Sequence, residues 1–189
     1  MSVTRNRVSS QYRFLAYSIY YIQSSASARL TGSPGAQASP LGVAGSSRCP
    51  PYASATLIAP WEFVDLDVIA LPKRAKAHGL NWHHAPILDG RTPDDTPAGY
   101  TAGEWFVGRW PAIAPELHAA LNRGEGVVVH CKGGLGRAGT VAGLLLAQRE
   151  PGLSTEEIIQ RVRTARPNAI ETVVQERYLA RVSGAPPPR

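Results

Sequence analysis

Residues 130–137 read His-Cys-Lys-Gly-Gly-Leu-Gly-Arg, placing a thiol, a Gly-rich turn and a guanidinium within eight positions. Gly126-Val-Val-Val precedes them, and Ala138-Gly-Thr-Val-Ala-Gly-Leu-Leu-Leu-Ala follows. The first run is apolar and β-branched, which predicts a short buried strand over 126–130. The second predicts a helix over 138–149. A thiol between a strand end and a helix N-terminus meets unpaired N–H groups and the positive end of the helix dipole. Both favour the thiolate: an ordinary cysteine has a pKa of about 8.5, and such sites lower it to about 3.5–7.5. Glycines let successive N–H groups turn inward, so Lys132, Gly133, Gly134, Leu135 and Gly136 form a candidate anion cradle. Arg137, six residues past Cys131, can return over the turn and grip two oxygens of one anion as a planar fork. Nucleophile, cradle and clamp in one loop suit attack on phosphorus.

Two other motifs compete for these residues. Gly134-Leu-Gly136-Arg-Ala-Gly139 matches the dinucleotide pattern G-x-G-x-x-G. That pattern requires a second strand ending in an acidic residue about twenty positions on. Pro151-Gly152 and the capping box Ser154-Thr-Glu-Glu157 stand there instead and start another helix. A Walker phosphate loop needs Gly-Lys-Ser/Thr after its glycines, which is absent. A buried structural cysteine beside a Gly-rich turn is the plainest alternative.

His130-Cys131-x5-Arg137, with Gly134 inside and a strand and a helix on either side, resembles the signature of the cysteine-dependent protein tyrosine and dual-specificity phosphatases. Asn81-Trp-His-His-Ala-Pro-Ile-Leu-Asp-Gly90, Thr92-Pro-Asp94 and the run from Ala165 to Tyr178 are most similar to the kinase-associated phosphatase branch. The resemblance covers about residues 55–182. It implies an α/β fold with a central, mostly parallel sheet flanked by helices, the cysteine loop joining the last parallel strand to its helix. It implies hydrolysis of phosphate monoesters of tyrosine, or of serine and threonine, through a cysteinyl-phosphate. Neither a metal nor another cofactor is expected, and the expected partner is a phosphoprotein or phosphopeptide. Cys131 would be the nucleophile, His130 would orient the loop, and residues 132–137 would hold the phosphoryl oxygens. The proton donor implied is the Asp of the Asp-Gly pair, Asp89, with Asp94 and Asp95 as rivals. Gln175 matches the glutamine that positions water in tyrosine phosphatases.

Some positions depart from the family pattern. Ala138 stands where a Ser or Thr often follows the arginine to assist departure of the thiolate, and Thr140 lies two residues on. Glu171 replaces the glutamine that begins the water-positioning segment. Lys132 is shared with phosphoinositide phosphatases, but Leu135 occupies the place of their second lysine, which disfavours inositol lipids. A phosphate-binding module without turnover is the alternative function. A sulfur-transfer or redox enzyme is disfavoured by Arg137 at this spacing.

Several elements must position these groups. Residues 53–59 predict a strand ending at Pro60, and 61–70 are expected to be helical in part. Pro72 suits the first turn of a helix that stops at Gly79. Residues 81–87 predict the next strand. Apolar residues at helical spacing run through 101–123, where Pro111 and Pro115 predict a kink or two helices. Helices are predicted over 155–165 and, from the Thr172/Gln175 capping box, over 173–182. Strands separated by helices argue for a parallel sheet.

Length and composition bound the rest. The chain has 189 residues, 43% hydrophobic and 18% charged, enough for one domain, read here as 53–183 with a Pro-rich tail over 184–189. Its net charge of +6 is uneven: residues 1–61 hold five arginines and no Asp, Glu or Lys, leaving the remainder nearly neutral. No basic stripe with interleaved aromatics follows, so nucleic acid is not an expected partner. Cys49 and Cys131 make no disulfide framework. A catalytic thiolate needs a reducing compartment such as the cytoplasm. Adjacent His83 and His84 on a strand point to opposite faces, which argues against a metal site. Residues 1–52 read as a basic, low-complexity segment: a disordered or misplaced start, a poor signal peptide ending near Ala28, or an organellar transit peptide. Its apolar run is too short to span a bilayer. The family's earlier strand and helix have no legible counterpart there, and residues 1–50 are expected to be dispensable for activity. Oligomeric state is not legible.

Overall fold

The structure is a computed structural model that describes residues 19–23, 29–32 and 53–184. Five strands form one sheet: β1 (Ile19–Gln23), β2 (Arg29–Gly32), β3 (Ala53–Thr56), β4 (Asn81–His84) and β5 (Val127–His130). Their order is β2-β1-β5-β3-β4. β3 is central to a parallel trio, paired with β4 and β5, while β1 runs antiparallel to both β5 and β2. The α/β reading is met, with antiparallel pairing at one edge.

The strand alternation decides the two faces of the sheet. Ala53 and Ala55 sit beside Val127 and Val129, all buried, whereas Ser54 and Thr56 share the opposite face with Trp82, His84 and His130. Helix α3 (Phe106–Asn122) covers the apolar face, where its Glu116 accepts a hydrogen bond from Asn81. Helix α4 (Gly136–Arg149) lies beside α3; Arg149 donates to Asn122 at 3.0 Å. Residues 136–147 of α4 are all buried, the pattern of a helix surrounded by protein. Helices α5 (Thr155–Ala165) and α6 (Val173–Ser183) pack behind it, and both open on the capping boxes legible in the sequence. Short α1 (Glu62–Asp65) and α2 (Leu71–Ala77) cover the other face, where Phe63 meets His84 edge-on and Lys76 lies over Trp82.

The structure corrects two expectations. Helix α3 is one helix through Pro111 and Pro115, and the break falls earlier, at Trp105, after a 3-10 turn over Ala102–Glu104. Both prolines lie on the exposed face, where the carbonyls they leave unbonded can meet water. The N-terminal segment also contributes: Ile19–Gln23 pairs along β5 with register Ile19 to His130. Its Ile-Tyr-Tyr-Ile run is β-branched and aromatic, favourable in a strand. The Ala28 cleavage-like position and the 185–189 tail lie outside the described residues, as does Cys49.

Candidate active site

Each strand of the parallel trio delivers one charged or nucleophilic group at its carboxyl end, where ligands of open α/β sheets bind. Glu62 follows β3, Asp89 follows β4 and Cys131 follows β5. They meet around Arg137, which enters from the first turn of α4 and is 1% exposed.

Arg137 is held from three directions. Its Nη1 donates to Glu62 Oε2 at 2.6 Å and to the Ile87 carbonyl at 3.2 Å. Its Nη2 donates to Glu62 Oε1 at 3.0 Å and stands 3.2 Å from Asp89 Oδ1. Burial opposes the charge, but the Glu62 bonds, with Cys131 and Asp89 nearby, raise its pKa above the ordinary arginine value. Glu62 responds in the opposite sense: burial favours its neutral form, yet bonds from Arg137 and the Ala59 N–H, with Lys132 nearby, hold its pKa down. The remaining donor, Arg137 Nε, is buried and has no partner among the described residues. A buried donor left unpaired costs about 1–3 kcal/mol, which makes Arg137 Nε a candidate donor to a ligand.

The cysteine loop is shaped from outside as much as from inside. Gly134 donates its N–H to Cys131 Sγ at 3.2 Å and adopts φ +64°, a conformation that glycine takes without strain. Arg166 donates to the carbonyls of Gly133 and Gly134, at 3.1 and 3.2 Å, and the Ile170 N–H donates to Leu135 at 3.2 Å. With three successive carbonyls bonded on the outer side, the loop's N–H groups are left for the inner side. A Cβ on Gly136 would lie 2.6 Å from Glu171 Oε2 and 3.0 Å from Gln175 Nε2, so the ends of those two side chains stand close against the glycine.

His130 lies on the polar face of the sheet, its Nε2 2.7 Å from Thr56 Oγ1, which also accepts from Trp82 Nε1 at 2.8 Å. Burial lowers its pKa to about 4; the Cys131 backbone opposes the shift and His84 adds to it. The ring is therefore neutral near pH 7 and unsuited to act as a charged group. Thr140 Oγ1 donates to the Gly136 carbonyl at 2.8 Å, which commits that hydroxyl within α4.

The three candidate acids are separated by their surroundings. Asp89 is exposed at the mouth and reaches Arg137. Asp94 accepts from Thr92 Oγ1 and is paired with Arg181 of α6. Asp95 accepts both the N–H and the hydroxyl of Thr92, each at 2.9 Å, and so closes its own turn. Gln175 is buried, donates to the Arg91 carbonyl at 3.2 Å and abuts Gly136, thereby joining the Asp89 loop to the cysteine loop. Cys131, Lys132, Gly133, Gly134, Leu135, Gly136, Arg137, Asp89, His130 and Gln175 thus gather at one end of the sheet.

Sequence reasoning missed Glu62 and Arg166. Glu62 carried a signal, being the first acidic residue of the chain and lying just past the end of β3. Arg166 lies in the Ala165–Tyr178 run that carries the resemblance, but its bonds to the back of a loop 32 positions earlier have no local signature.

The site's geometry has relatives. A family model described as the Swiss Army Knife protein, DSP-PTPase phosphatase domain, matches residues 112–179. Cyclin-dependent kinase inhibitor 3 of Rattus norvegicus and of Homo sapiens are each 35% identical, over 54% and 53% of this chain. The chain spans only 43% and 42% of the length of these curated relatives. Among solved structures, Tk-PTP in its active form superposes with a TM-score of 0.54 at 28% identity, covering 71% of this chain and 80% of that one. Kinase-associated phosphatase, with serine in place of its catalytic-site cysteine, superposes with a TM-score of 0.59. It is 30% identical, and the match covers 69% of this chain and 67% of that one. This chain belongs to the dual-specificity phosphatases, in the kinase-associated phosphatase branch. Within that branch the Cys131 loop, the Asp89 loop and the Ala165–Tyr178 segment are the parts on which the resemblance rested. Among the described residues of this dual-specificity phosphatase, no group of three or more His, Cys, Asp or Glu could hold a metal ion. None of its described helices is long and apolar enough to cross a membrane.

Proposed function

We propose that the domain hydrolyses phosphate monoesters on protein side chains through a cysteinyl-phosphate intermediate. The observation that carries this reading is the buried Arg137, fixed by Glu62 with its Nε unpartnered, beside a thiol and an N–H cradle. In the first step the Cys131 thiolate attacks phosphorus, an S–P bond forms and the bond from phosphorus to the leaving oxygen breaks. Asp89 gives its proton to that oxygen. Arg137 Nε and the loop N–H groups take the phosphoryl oxygens, where charge is carried in the transition state. In the second step water attacks phosphorus, Asp89 accepts its proton, and the S–P bond breaks to return the thiolate. His130, neutral and bonded to Thr56, holds the strand end from which Cys131 projects. Gln175 lies where it can keep the Asp89 loop against the cradle and orient water. The reading places the enzyme on phosphoproteins in a reducing compartment.

Serine in place of Cys131 separates nucleophile from cradle. Cys131→Ser is expected to lower p-nitrophenyl phosphate turnover below about a hundredth of wild type. It should still bind tungstate by calorimetry. Turnover near the wild-type level excludes the covalent route, and loss of tungstate binding excludes the cradle.

A further inference from the structure

Eight large apolar side chains are exposed among the described residues, and four of them belong to segments that carry residues of the site. Trp61, 41% exposed, immediately precedes Glu62, the residue that grips Arg137. Tyr100, 45% exposed, ends the loop that carries Asp89 and packs against Trp61 with ring centroids 6.3 Å apart. Both rings lean on the fully buried Trp105, each at 5.7 Å between centroids, so they form a backed wall. Val173 and Val174, 61% and 49% exposed, open α6 just before Gln175, whose amide lies against Gly136 of the cysteine loop. The bound phosphate needs none of these four side chains. Contiguous exposed apolar surface at a binding mouth marks a recognition surface, and rigid aromatic rings bring contact area at little entropic cost.

We infer that Trp61 and Tyr100, together with Val173 and Val174, seat the polypeptide around the phosphorylated residue and select an apolar or aromatic neighbour. This rests on the phosphatase reading and specifies its substrate class. The occupant is a protein segment with an apolar side chain beside the phosphoresidue. Continuity of the wall with Glu62 and Asp89 is the reason: Trp61 adjoins the residue that grips Arg137, and Tyr100 closes the loop that carries Asp89. An acidic neighbour gains nothing from them, and a polar neighbour loses hydration there.

The test uses two phosphotyrosine peptides of equal length and charge, with leucine or serine beside the phosphoresidue. The full-length enzyme is expected to favour the leucine peptide about tenfold in kcat/KM, through KM with kcat equal. Trp61→Ala should bring that ratio near one, and Trp61→Phe should retain it. A ratio near one in the wild type overturns the inference. So does a Trp61→Ala enzyme that loses activity on both peptides equally, the result of a merely structural role. If Trp61→Ala does not fold, Tyr100→Ala and Val174→Ser carry the same ratio measurement. If neither peptide is turned over, the phosphatase reading fails by itself. The surface is then judged by peptide affinity to Cys131→Ser: tighter binding of the leucine peptide supports it, and equal binding overturns it.

Discussion

Arg137 is the residue on which the proposed mechanism most depends. Its two terminal nitrogens are occupied by Glu62, which leaves Nε as the donor without a partner among the described residues. Glu62→Gln removes the charge that fixes the guanidinium while keeping the shape. It is expected to lower kcat/KM for aryl phosphates about tenfold to a hundredfold, since small misplacements of a positioned group cost that much. Arg137→Lys should be impaired at least as severely, because an ammonium lacks the planar fork; near-normal kinetics would make Arg137 structural. Asp89 makes a different prediction. A general acid contributes about 10²–10⁴-fold, and more as the leaving group becomes poorer. Asp89→Asn should therefore lose far more activity on a phosphotyrosine peptide than on p-nitrophenyl phosphate. Asp94→Asn and Asp95→Asn should show no such difference, because their carboxylates are committed to Thr92 and Arg181. The reverse pattern would show that the acid lies deeper in the loop.

At the scale of elements, the strand that ends in Cys131 is sandwiched. β3 pairs along one side of β5 and β1 along the other. Removing residues 1–50 strips β1 and leaves the N–H and C=O groups of β5 unpaired along that side, the kind of edge that aggregates. The truncated chain is therefore expected to be insoluble or to melt several degrees lower, by thermal unfolding followed by circular dichroism; an unchanged midpoint would mean that β1 adds no stability. This reverses the expectation drawn from composition alone, that the segment is dispensable. The loop after β5 is held likewise by a distant element: Arg166, just past α5, bonds two of its carbonyls. Arg166→Ala should weaken tungstate binding to Cys131→Ser, since the loop N–H groups lose their fixed direction.

Across the whole molecule, acid should act first on the buried histidine. The fold favours neutral His130, so between about pH 6.5 and pH 4 the unfolded chain binds the extra proton. Its contribution is complete above the unfolded pKa near 6.5 and is lost as pH falls toward 4, a change of about 3 kcal/mol at 1.36 kcal/mol per unit. His83 and His84, also lowered by burial, act in the same direction. Urea denaturation at pH 7 and pH 4.5 should show a marked loss of stability in the wild type and a smaller one in His130→Gln. Equal losses would mean that His130 does not carry the effect.

The local features were legible because their causes are local. The cysteine turn needs glycine at 134 and an arginine six residues past the thiol, and both are visible as spacing. The helices from Ser154 and Thr172 announce themselves because a capping box spans four residues. Helix α3 was legible in its apolar spacing, but its course through two prolines depended on which face met solvent. What remained hidden depends on contacts between distant residues. Composition separated residues 1–52 from the rest, whereas strand pairing is decided by backbone groups that composition does not encode. Glu62 and Arg137 lie 75 positions apart, and Arg166 reaches a loop on another element. Only the parallel order of β4, β3 and β5 brings Asp89, Glu62 and Cys131 to one end of the sheet. The sequence alone determined that a thiol, a Gly-rich turn and a guanidinium share one loop, the basis of the proposed chemistry. The tertiary structure decided which carboxylate holds the arginine and which stands at the mouth, because burial and ion pairing are properties of neighbours in space.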